Sequence, residues 1–115
     1  MLDYALEYKS VAIQHELKYI ELPAEVSLSD PRLDELYQMI HVHLFYESEN
    51  QEEVVGQSIV YGVTIPKTSQ NKELAIKFLN FLLSDVGKRI FSENGQPFLE
   101  EIKVSGKLPT GIELG

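Results

Sequence analysis

"LDYALEYKSVAIQH", Leu2 to His15, sets an aromatic and acidic segment directly against a serine and a short apolar stretch. The alternation from Tyr4 to Tyr8 predicts a strand, with Tyr4, Leu6 and Tyr8 on one face and Ala5 and Glu7 on the other. Ser10 then stands where an N-cap belongs, ahead of a short helix from Val11 to about Glu16. Lys18 to Leu22, "KYIEL", predicts a second strand that Pro23 stops. Strand, helix and strand in this order form a βαβ-like unit whose strands run parallel in one sheet, so the expected fold class is α/β.

The junction between the first strand and the helix is the first candidate site. A helix start presents amides without intrahelical acceptors and a partial positive charge, which suits an oxyanion. Val11, Ala12 and Ile13 would offer amides, Ser10 a hydroxyl, and Tyr8 a phenol at the carboxyl end of the strand, where open α/β sheets bind their ligands. On pattern alone, an ordinary capped helix beside a half-buried tyrosine explains the same residues.

Downstream, "LPAEVSLSDP" is a connector, and Asp30-Pro31 reads as a cap followed by an N1 proline for a helix from Arg32 to about Tyr37. Met39 to Tyr46 and Val54 to Ile65 predict strands joined by the polar loop "ESENQEE", an exposed hairpin tip. Gly56 and Gly62 in the second arm point to a bulge or a close backbone approach, and Pro66 ends that arm. Asn71 caps a predicted helix from Lys72 to Leu83, with Ala75, Phe78, Leu79 and Leu82 on one stripe. Ser84 caps another from Asp85 to about Glu93, closed by Gly95 near the left-handed position. Both helices are expected to pack on the strand that ends at Ile65. The segment after Leu99 is rich in glycine and proline and reads as a loosely ordered tail.

Composition narrows the partners. A chain of 115 residues with 43% hydrophobic and 24% charged residues has the make-up of one globular domain. Its longest apolar runs, such as "AIKFLNFLL", are broken by Lys77 and Asn80 and are too short to span a bilayer. No apolar export signal opens the chain. Ten basic against eighteen acidic residues give a net charge of −8, which argues against a nucleic-acid partner. The same field would not draw in an anion, so an anion site would have to rely on local backbone dipoles. No cysteine is present, which excludes disulfides and thiolate chemistry.

Other candidate chemistry is thinner. His41 and His43 share one strand face, but a zinc site needs three or four ligands, and the remaining histidine is His15. A solvated histidine pair is the preferred reading, with no metal. Glu52 with Glu53 and Glu100 with Glu101 fall in predicted loops and tails rather than in a cleft that would shift a pKa for acid–base work. No nucleophile elbow, P-loop or GxGxxG occurs, so no enzymatic activity is expected.

Two stretches together carry a family resemblance. "LDYALEYKSVAIQH" with "KYIELP", and later "IVYGVTIPKTSQNKELAIKFLNFLLSDVGKRIFSENGQPFL", resemble archaeal-type tungstate/molybdate-binding proteins, the solute-binding subunits of ABC transporters. The second block is common to many class II periplasmic-type binding proteins; the first narrows it to the oxyanion branch. The resemblance implies a partial two-lobed, type II α/β sandwich whose N-terminal two-thirds are absent. Residues 1–22 would end the second lobe, 23–58 would be a connector with a short helix and β-hairpin, 59–99 would complete the first lobe, and 100–115 would be the tail. It further implies molybdate or tungstate as ligand, no cofactor, ABC permease subunits as partners, and an extracytoplasmic, membrane-associated location. Tyr8 matches the tyrosine that contacts the bound oxyanion in the family, and Ser10 is a supporting candidate. Glu7 is not carried over, because strand alternation points it away from the side of Tyr8. Two other classes fit the same features: an effector-binding domain of a transcription regulator, and a small α/β interaction module using the hairpin of residues 38–65.

Overall fold

The clearest helical pattern yields the best-formed part of the molecule. In the computed structural model, which describes residues 2–44, 47 and 49–114, α4 spans Lys72–Leu83 and α5 spans Asp85–Glu93, preceded by α1 (Lys9–Gln14), α2 (Ala24–Ser27), α3 (Asp34–Tyr37), β1 (His41–Leu44) and β2 (Glu52–Val55). The Asn71 side chain accepts from the Leu74 amide at 3.0 Å and starts α4 as expected. Ser84 serves both helices: its hydroxyl donates to the Phe81 carbonyl at 2.6 Å and accepts from the Gly87 amide at 3.4 Å. The end of α5 is a Schellman turn, with the Gly95 amide on the Ser92 carbonyl and the Gln96 amide on the Phe91 carbonyl. Gly95 takes φ +79°, as its position past the helix predicts. An edge-on contact between Phe91 and Phe98, with ring centres 5.5 Å apart, then ties the following chain back to α5.

The buried edge of α4 is rotated from its expected place. Leu79 and Leu83 are buried, whereas Phe78 is 61% exposed, so Phe78 does not belong to the core. Nor is the strand on which they were expected to pack formed: among the described residues 56–65 lies outside both β1 and β2.

These helices belong to a unit made of Met1–Tyr19 and Thr64–Gly115; a second unit is Ile20–Val63. In the first unit, Tyr4 to Tyr8 and Lys18 to Tyr19 are not strands, and in the second the rest of "KYIEL" is not one either. The expected parallel βαβ pair is therefore not formed. A strand exists only through hydrogen bonds to a neighbour, and none of the described residues supplies that neighbour's ladder.

The second unit is organised around Tyr37, which is fully buried. Its hydroxyl donates to the Ala24 carbonyl and accepts from the Asp30 amide at 3.3 Å, joining the start of α2 to the turn before α3. Asp30 caps that turn on the Arg32 amide at 3.0 Å with Pro31 at its start, although the first turn is 3₁₀ before α3 begins. β1 and β2 pair antiparallel, with His41 opposite Val55 and Leu44 opposite Glu52. Both strands are shorter than expected. The predicted end of the first, Phe45 and Tyr46, and Ser48 of the hairpin tip lie outside the described residues. Glu52 and Glu53, expected in the loop, belong to β2. Gly56 shows why a residue without a side chain stands there: a Cβ would fall 2.3 Å from the Tyr37 carbonyl oxygen. Past it the chain is held by backbone and side-chain bonds, Ile59 amide to Leu28 carbonyl at 2.7 Å and Ser58 amide to the Asp34 carboxylate at 2.8 Å.

Candidate functional site

The helix that positions the candidate oxyanion residues starts earlier than the sequence suggests. Tyr8, at φ −66° and ψ 139°, is the N-cap residue of α1, and its carbonyl accepts the Ala12 amide at 3.2 Å. Ser10 is therefore inside the first turn and does not cap; no side chain caps α1. The reason is local. Cap geometry requires extended backbone, and the chain turns helical at Lys9, one residue before the serine. The Ala12 amide is spent on Tyr8, so the donors that precede the helical ladder shift toward Ser10 and Val11.

The two candidates also differ in access. Tyr8 is 57% exposed, and Ser10 is 7% exposed. What covers Ser10 is the end of α5. A Cβ on Gly95 would lie 3.0 Å from the Ser10 Cα, 3.2 Å from its amide nitrogen and 2.8 Å from Ile13 Cδ1. Next to it, the Gln14 side chain donates to the Asn94 carbonyl at 3.4 Å. Gly95 thus acts twice, closing α5 and letting α1 approach it. The first role follows from the left-handed position just past the helix; the second depends on residues some eighty positions apart and has no local signature.

The other candidates stay outside this region. His41 Nδ1 lies 2.8 Å from Glu53 Oε1 across the hairpin, both side chains about half exposed, while His43 pairs in register with Glu53. His15 ends α1. Among the described residues no group of three or more His, Asp or Glu side chains comes together to hold a metal ion. Glu100 and Glu101 are exposed. The side-chain and backbone hydrogen bonds of Arg32 hold the Asp30 carboxyl below the usual carboxylate range. That pair is structural, since it fixes the turn before α3. No helix among the described residues is long and apolar enough to cross a membrane.

Comparison with known proteins agrees with the resemblance carried by the two sequence blocks. Residues 2–96 match the family described as bacterial extracellular solute-binding protein. A solute-binding protein of Staphylothermus marinus is 41% identical over 108 residues, 94% of this chain and 31% of the relative. Molybdate/tungstate-binding proteins named WtpA from Pyrococcus abyssi and Thermococcus kodakarensis are 44% and 43% identical, each over 112 residues and 97% of this chain. The matched stretch spans 32% and 31% of those two relatives' own lengths. Matched by the family over residues 2–96 and by these relatives over nearly its whole length, the chain belongs to the bacterial extracellular solute-binding proteins.

Proposed function

We propose that this chain is the C-terminal part of the extracytoplasmic, membrane-associated binding component of an ABC transporter that captures molybdate or tungstate, a non-enzymatic role completed by permease subunits. The observation that carries the reading is the identity of 44% and 43% to two relatives named for molybdate and tungstate binding. In the complete protein the fold is a two-lobed type II sandwich closing on its ligand. Tyr8 is the contact this chain contributes: an exposed phenol at the start of α1, beside amides that precede the helical ladder. Ser10, buried under Gly95, serves the site through its place in the first turn.

A doubly charged oxyanion gives up strong hydration on entering a pocket and must meet a nearly complete set of donors. One phenol and a few amides are not such a set. The 115-residue chain alone is therefore expected to bind tungstate in the millimolar range or weaker, because each missing charged hydrogen bond costs about 1.5–3 kcal/mol. The decisive experiment grafts this chain in place of the matched stretch of the Pyrococcus abyssi relative and titrates tungstate, molybdate and sulfate calorimetrically. Retained tight binding of tungstate or molybdate supports the function, and a folded graft that binds neither overturns it. Within the graft, Tyr8→Phe should weaken binding by about 1 kcal/mol or more; unchanged affinity removes Tyr8 from the site.

A further inference from the structure

Asn80, on α4, bonds to chain far beyond its own helix. Its side-chain Nδ2 donates to the Gly111 carbonyl at 2.7 Å, and its Oδ1 accepts from the Glu113 amide at 2.9 Å. One amide thus meets an acceptor and a donor two residues apart on another stretch of backbone, the pairing a neighbouring strand would provide. Three features make this more than a stray contact. Gly111 holds φ +94°, and a Cβ there would lie 3.6 Å from Ile76 Cγ2, one turn before Asn80 on the same helix. The Ile112 amide turns back onto the Pro109 carbonyl at 3.3 Å, which shapes the segment. Pro109 also joins Ile65, Pro66, Lys67, Lys72 and Ile76 around a cavity of about 210 Å³.

We propose that residues 107–114 form a strap, set in register on α4 by the Asn80 side chain, and that this strap is a removable wall of the cavity beside Ile76. The backbone groups that Asn80 holds carry no side-chain identity, so the register rests on the amide and on the left-handed Gly111. Loss of the amide frees the strap without disturbing the helix, because Asn80 caps nothing in α4.

Amide hydrogen exchange on the full chain tests the clamp. In Asn80→Ala the Glu113 amide should exchange about tenfold faster, with the Leu79 and Leu83 amides unchanged. In Asn80→Asp, which keeps the acceptor but loses the donor, the loss at Glu113 should be smaller. Because the chain has no cysteine, a single Ile76→Cys reports on the wall: its reaction with a thiol reagent should quicken several-fold when Asn80→Ala is added. Unchanged Glu113 exchange in Asn80→Ala, or equal loosening of all of α4, overturns the clamp. Unchanged labelling of the cysteine overturns the wall.

Discussion

Residues 72–93 and residues 2–8 are both rich in large apolar side chains, yet the first stretch is two capped helices and the second forms neither helix nor strand and stands in solvent. Leu79 and Leu83 are buried in α4, while Leu2, Tyr4 and Leu6 stand almost fully exposed, Leu6 at 88%. The difference comes from where each element finds its hydrogen bonds. A helix closes its ladder within itself, and its ends are satisfied by nearby side chains, here Asn71 and Ser84. A strand has no internal ladder, and an apolar alternation without a partner leaves both backbone and side chains in water. The exposed stretch from Val60 to Val63 teaches the same lesson within the other unit.

The sharpest test of this contrast sits on α4 itself. Leu79→Ala should lower unfolding free energy by roughly 2–5 kcal/mol, whereas Phe78→Ala, one position earlier and exposed, should cost less than about 1 kcal/mol. Urea unfolding of both variants decides it, and a reversed order would put Phe78 rather than Leu79 at the centre of the buried face. Next in size, Gly95→Ala strains a left-handed position and pushes a methyl group into Ile13 and the Ser10 backbone, an expected loss of roughly 1–3 kcal/mol. If thermal unfolding shows no change, α1 is not packed against the end of α5. Asn71→Ala removes a cap and should cost about 1 kcal/mol, seen as a lower melting temperature with a shortened α4 by circular dichroism. Smallest of all, Leu6→Ser should leave stability within about 0.5 kcal/mol. A larger loss would mean that residues 2–8 are already packed in the isolated chain.

What was legible in the sequence follows the same division. Asn71, Ser84, Gly95 and the Asp30-Pro31 pair each act through neighbours a few residues away, so their roles could be read from spacing and all four are found in the structure. Gly56 was legible as a close approach, though not that Tyr37 was what it approached. At the candidate site, Tyr8 at the entry to a helix was legible, and the family was too, because both sequence blocks survive as matches to solute-binding relatives. Ser10 as a cap was not, since a one-residue shift in the helix start exchanges a capping hydroxyl for a buried one.

The sequence by itself determined α4 and α5 with their caps, the presence of a hairpin and the family, all of which are written in short-range patterns or in residue identities along the chain. Only the tertiary structure decided that Gly95 covers Ser10, that Phe78 faces away from the core, and that Asn80 holds the backbone of Gly111 and Glu113. The physical reason is that a cap or a turn is satisfied by atoms within one turn of the chain. Burial, close approach and strand pairing depend on a partner that no local pattern names.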